Sequence, residues 1–161
     1  MTEFEIIDFR DEYHVQMFRR WLVVSTLCKN KKFENGVALE KAAFVDFLLC
    51  NPRVMQRLLV NFGRTELTLN LEDLLYRDNI ELGSAHDEKS FATTCVLLIE
   101  RKYMSFFKRE GMVYLHAASR ELTVENELVK RWNSEINALQ PLLGRSANVL
   151  QNSVIGGVEW N

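Results

Sequence analysis

Apolar positions recur at three- and four-residue intervals along most of this chain, the spacing of helices that bury one face. Val15, Phe18, Leu22 and Ser25 set that rhythm first and predict a helix over residues 11–29, with Asp11 and Glu12 at its electropositive start. The Lys29-Asn30-Lys31-Lys32 cluster suits the end of that helix, and Phe33-Glu34-Asn35-Gly36 breaks the pattern. Leu39, Ala43, Phe47 and Cys50 predict a second helix over residues 38–50. Asn51-Pro52 stops it and starts a third, because Asn can accept an orphan amide and Pro has none to leave unpaired. Val54, Met55, Leu58 and Leu59 make the stripe of this third helix, residues 52–62, and Gly63 can close it in the left-handed conformation.

Residues 64–83 alternate like a strand at Leu67, Leu69 and Leu71, yet suit a short helix at Leu71, Leu74 and Leu75, and the pattern does not choose between them. Ser84 then offers a cap, and Phe91, Cys95 and Leu98 predict a helix over residues 86–102. A β-hairpin follows at once: Met104-Ser105-Phe106-Phe107 and Met112-Val113-Tyr114-Leu115 are aromatic and β-branched runs, and Glu110-Gly111 lies where a tight turn needs positive φ. Val124, Leu128, Trp132, Ile136 and Leu139 predict a last long helix over residues 123–140, ended by Pro141. Leu142-Leu143-Gly144 continue its stripe, and a tail with Gly156-Gly157 leads to Val158 and Trp160.

Three helices, then a helix running straight into a two-stranded hairpin, then a closing helix, is the order of a winged helix with additions. The expected fold is therefore mainly α (α+β), a winged-helix-like domain with a β-hairpin wing and helical extensions. A single domain spans residues 1–161, with 123–161 forming a C-terminal helix and docking tail. An all-helical bundle with an ornamental hairpin is the rival, and patterning leaves it open.

Composition narrows this picture. With 161 residues and 47% hydrophobic content the chain can build one ordinary core. Its longest apolar runs, such as Trp21-Leu22-Val23-Val24 and Cys95-Val96-Leu97-Leu98-Ile99, fall far short of the roughly twenty residues a spanning helix needs, so no membrane is expected as a partner. Met1-Thr2-Glu3-Phe4-Glu5 is acidic where a secretory signal is basic. Cys28, Cys50 and Cys95 sit far apart in apolar-periodic segments, as small buried hydrophobes do. A cytoplasmic, reducing location is the expectation.

A net charge of -2 conceals blocks of opposite sign. Residues 1–12 carry five acids against Arg10, and residues 13–64 carry nine bases against Glu34, Glu40 and Asp46. Residues 65–100 then hold eight acids against Arg77 and Lys89, and residues 101–120 five bases against Glu110. The plain reading is solvated surface; the sharper one is a protein with separate acidic and basic faces.

Candidate chemistry is sparse. His14, His86 and His116 lie in three predicted elements with no zinc-like spacing, and no Gly-rich phosphate loop precedes a Lys. Asp46, and Glu72 with Asp73, read as acids on helix surfaces rather than acid/base pairs. No catalytic residue, metal or cofactor is expected, and the chain is read as no enzyme. Two basic groups resemble phosphate-gripping sets: Arg53 and Arg57 one turn apart on the third helix, and Arg101, Lys102, Lys108 and Arg109 around the hairpin. A sequence pI near 6.0 gives no general attraction to nucleic acid, so DNA is expected as a partner mainly through a complex. Trp21 sits beside Arg19 and Arg20 on the polar side of its helix. Trp132, Leu142, Leu143 and Trp160 are the expected partner-facing residues, because the stripe they extend is longer than a small domain readily covers.

Three stretches carry a family resemblance. They are Trp21-Leu22-Val23-Val24-Ser25 into Lys29-Asn30-Lys31-Lys32, then Leu39 to Pro52 as Leu-Glu-Lys-Ala-Ala-Phe-Val-Asp-Phe-Leu-Leu-Cys-Asn-Pro, and the apolar helix and hairpin from Phe91 to Ala118. Together they resemble the middle component of the bacterial ABC-three-component systems, the group that includes the accessory subunit of Lamassu-type antiphage defence. The resemblance implies a kite-like winged-helix adaptor working with an SMC-like coiled-coil ATPase and an effector subunit, to which ATP chemistry and cutting would belong. It carries over no functional residue. The reading from a different class is a winged-helix DNA-binding transcription regulator.

Overall fold

The computed structural model describes residues 13–64 and 88–158. Helix α1, Tyr13–Cys28, leads through a 3-10 turn at Lys31–Phe33 into a two-residue strand β1, Val37–Ala38. Helices α2, Leu39–Cys50, and α3, Pro52–Asn61, follow directly. Helix α4, Glu88–Glu100, runs into strands β2, Met104–Arg109, and β3, Met112–Ala117. Helix α5, Glu127–Leu139, a 3-10 turn at Gln140–Leu142 and helix α6, Ala147–Val158, complete the order. The fold is mainly helical, with a small antiparallel sheet in the order β1-β3-β2.

Helices α1, α2 and α4 pack on one another, α5 lies across α1 and α2, and α6 covers α3 and the end of α2. Their shared core includes Val24, Leu27, Phe44, Leu48, Leu98, Leu115 and Ile136. Because α2 is enclosed by neighbours, every residue of 42–49 is buried, and so is every residue of 19–27 in α1. The one-sided helices expected from the periodicity are thus buried on all sides at the centre, where an apolar helix belongs.

The joints follow local rules. Asn51 precedes Pro52 as expected, but its side chain does not cap α3; its Nδ2 donates to the Phe47 carbonyl at 2.9 Å, closing α2 instead. Gly63 adopts φ +72, and Arg64 N–H donates to the Leu59 carbonyl at 2.7 Å, which ends α3. At the end of α4 a non-glycine takes that conformation: Lys102 has φ 66, with Lys102 N–H on the Ile99 carbonyl at 3.0 Å and Tyr103 N–H on the Leu98 carbonyl at 2.9 Å. Met104 already begins β2.

Four expectations are corrected. Ala38 belongs to β1, which pairs Val37 with Leu115 and Ala38 with Tyr114, rather than to α2. The last long helix starts four residues later than its stripe suggests, because Asn126 accepts from Val129 N–H at 2.9 Å and sets the start at Glu127. Gly156 and Gly157 lie inside α6, not in an open tail. Asp46 is buried instead of lying on a helix surface. The N-terminal acids, the ambiguous residues 65–83, the Ser84 cap, His86 and Trp160 lie outside the described residues.

Lys41 ties the C-terminal part to this frame. Its Nζ donates to the Leu143 carbonyl at 2.7 Å and lies 5.8 Å from the centre of the Phe33 ring. Among the described residues no helix is long and apolar enough to cross a membrane.

Candidate interaction site

Two features depart from an ordinary helical core: a buried ionic cluster and a hairpin that leaves Phe106, Phe107 and Met112 outside. The cluster forms where α1, α2 and α4 meet. Arg19 Nε donates to Asp46 Oδ1 at 2.5 Å, and Arg20 Nε to Asp46 Oδ2 at 3.1 Å. Arg20 Nη1 reaches across to α4, donating to Thr94 Oγ1 at 2.6 Å and to the Ser90 carbonyl at 3.1 Å. Asp46 thus bonds both guanidiniums, and the α4 oxygens help to solvate that of Arg20. Beside it, burial pushes the Cys95 thiol up to about 12, with Arg20 working against that rise and Asp46 adding to it. Substrate has no approach to groups so enclosed, and their geometry holds three helices in register.

The hairpin is built differently. Its two-residue turn has positive φ at both Glu110, 54, and Gly111, 79, the conformation whose twist matches the flanking strands. Register runs from Met104 with Ala117 to Arg109 with Met112. Met104 and Leu115 face the core, but every β2 residue after Met104 is exposed. Phe106 is 53% exposed and Phe107 37%, and because neighbours on a strand point oppositely, the hairpin shows an aromatic on each face. Phe107 is anchored: its ring stacks on Tyr114 with centroids 5.3 Å apart and planes 8° from parallel. Under it lies Gly36, at φ +122, where a Cβ would come within 2.9 Å of the Phe107 ring. His116 fixes the base of the sheet, with Nε2 2.7 Å from the Glu34 carbonyl and Nδ1 2.7 Å from the Ala117 carbonyl.

The sequence-derived candidates fall into three groups. Arg101, Lys102, Lys108 and Arg109 are all exposed, at the joint before β2 and at the hairpin tip. Arg53 and Arg57 are half-buried on α3, an element that packs against α2 and α6 and not on the sheet, so the two basic sets belong to separate parts of the molecule. Trp132, Leu142 and Leu143 are buried, so the long apolar stripe is covered by the chain's own elements and these three offer no partner surface. Trp21 is likewise core, with Arg19 and Arg20 turned inward beside it rather than to water. Phe106 and Phe107 were not singled out by the sequence, since aromatics in a strand normally face a core.

Among the described residues no group of three His, Cys, Asp or Glu side chains could hold a metal ion. A shallow cleft of about 330 Å³ lies between α1 and residues 121–125, walled by Phe18, Trp21, Leu22 and Val129 with Lys29 and Lys130 also lining it.

Comparison with known families places the chain among the proteins of ABC-three component (ABC-3C) systems. It belongs to the Middle Component 4 family of those systems, whose model matches residues 27–152, from the end of α1 through the hairpin into α6. By that membership it is one component of a multi-component system. No curated protein and no solved structure matches it significantly.

Proposed function

We propose that this chain is a non-catalytic adaptor subunit that bridges an SMC-like ABC ATPase and an effector in a bacterial antiphage or anti-plasmid defence complex of the Lamassu kind. Membership of a middle-component family is the observation that carries this reading. The order of elements supports a kite-like winged helix: α1, β1, α2, α4, β2 and β3 with sheet order β1-β3-β2, the hairpin as wing, and α3 inserted before α4.

The same arrangement weighs against a free-standing transcription regulator. In such a protein α4 would lie in the major groove, and its outward residues are Lys89, Thr93, Val96 and Glu100, one base against one acid. That face offers little to phosphate or base edges. DNA contact is therefore assigned to the hairpin bases within the assembled complex.

Co-expression of this chain with the ATPase and the effector encoded beside it tests the reading. The three are expected to purify together, and the ATPase and effector to part when this chain is left out. Their association without it would overturn the adaptor role, and tight, half-site-specific duplex binding by the isolated chain would favour the regulator.

A further inference from the structure

Strand β2 has one unused edge. It pairs only with β3 among the described residues, carries no Pro and no bulge, and has two exposed phenylalanines at its centre, with charge confined to Lys108 and Arg109 at its turn end. Natural edge strands are usually shortened, charged or covered, because an open ladder of amides recruits another strand.

Which backbone groups face outward follows from the register. A two-residue turn closes on a hydrogen-bonded pair, here Arg109 with Met112, and bonded and non-bonded pairs then alternate. The bond from Ala118 N–H to the Tyr103 carbonyl, 3.1 Å, has the same phase at the other end. Ser105, Phe107 and Arg109 therefore spend their amides on β3, while Met104, Phe106 and Lys108 turn theirs to the open edge.

Side chains around that edge define the occupant. Lys108 and Arg109 end the strand and Arg101 and Lys102 lie just before it, with Arg120 bonded to the Arg101 carbonyl at 2.9 Å, against Glu100 and Glu110, and the apolar centre is Phe106 and Phe107. A second copy of this edge would bring like charge to like charge. We infer that β2 accepts, by strand addition, an extended segment of another component of the system, in which acidic residues alternate with apolar ones. Main-chain pairing at Phe106 and Lys108 holds the segment, its apolar side chains pack beside Phe106 on one face of the sheet, and its acids meet Arg109 on the other. This rests on the reading of the chain as one part of an assembly, yet it can fail while that reading stands.

Fluorescence anisotropy on the purified full chain tests it, with a labelled eight-residue peptide alternating Glu with Ile or Phe as probe. The acidic peptide is expected to bind and its Lys counterpart not, with affinity falling as salt rises. Methylating the peptide amides that face β2 should abolish binding, whereas methylating the alternate amides should not. Phe106→Pro removes one edge donor without removing a β2–β3 bond, and should weaken binding about tenfold or more with helical circular dichroism unchanged. Equal binding of both peptides, indifference to the position of methylation, or a concentration-dependent dimer that Phe106→Pro dissolves would each overturn the inference. Loss of peptide binding with intact co-purification of the three components would remove this site and leave the adaptor role standing.

Discussion

Arg19 of α1 and Asp46 of α2 form an ion pair inside the protein, Nε to Oδ1 at 2.5 Å, and Arg20 holds the other carboxylate oxygen at 3.1 Å. One carboxylate thus bonds both guanidiniums that α1 turns inward, and removing it takes a partner from each. Asp46→Ala is expected to destabilise the fold by roughly 3–5 kcal/mol, read as a lower denaturant midpoint at unchanged slope. Arg19→Met with Asp46→Leu should cost less than the sum of the single changes, since Arg20 keeps Ser90 and Thr94. Strict additivity would show that the pair is not coupled.

Cys95 gives a signed dependence on pH. Burial holds its thiol at about 12 against an ordinary 9.0, so the folded chain keeps a proton that the unfolded chain releases. Its contribution is complete below pH 9.0 and is lost as pH climbs toward about 12. Burial raises Cys28 in the same sense. Lys41 runs the other way: burial, then Lys32, lower it from 10.5, so its contribution grows as pH rises through that window. Stability measured from neutral to alkaline pH should fall less steeply for Cys95→Ala than for the native chain, and Cys95 should be the last thiol to react with a maleimide. Parallel curves for the two proteins would refute this.

Gly36→Ala strikes the underside of the hairpin. At φ +122 any side chain is strained, and its Cβ would lie 2.9 Å from Phe107 Cε1 and 3.3 Å from the Leu115 carbonyl oxygen. A loss of about 1–3 kcal/mol is expected, with Phe107 displaced from Tyr114. A native-like aromatic spectrum and unchanged melting would contradict it.

Reversing Lys108 and Arg109 to Glu should leave stability within roughly half a kcal/mol, because both are exposed beside the turn. DNA association of the assembled complex is expected to weaken markedly and to lose part of its salt dependence. Unaltered DNA affinity at low and moderate salt would make them ordinary solvated charges.

Truncation after Gly144 would delete α6, which packs on α3 and buries Leu150. The shortened chain should melt earlier, and Leu150→Ala alone should cost roughly 2–5 kcal/mol. A truncated chain as stable as the native one would show that α6 adds nothing to the core.

Local signals were legible where local forces decide. Pro52, Gly63 and Glu110-Gly111 place their joints correctly because the conformations they impose do not depend on distant residues. Strand β1 was illegible: two residues become a strand only through pairing with Leu115 and Tyr114 far along the chain. Periodicity put Arg19 and Arg20 on a solvent side, and it could not register that α2 and α4 close over that side with Asp46 and Thr94 in place. It left Trp132, Leu142 and Leu143 open for a similar reason, since the elements that cover them are brought there by the fold. At the hairpin the bases were visible in sequence, whereas the exposure of Phe106 depends on how far the strands extend past the helices.

The joint at Lys102 gives the molecule a mechanical character. A helix that stops on one left-handed residue, with both closing amides bonded back to Leu98 and Ile99, enters β2 almost without slack. The hairpin is in effect a lever whose short arm is α4, and Thr94 and Ser90 on that arm grip Arg20. With only Arg101, Lys102 and Tyr103 between helix and strand, and their amides bonded back into α4, few torsions are left to change the angle between hairpin and helix.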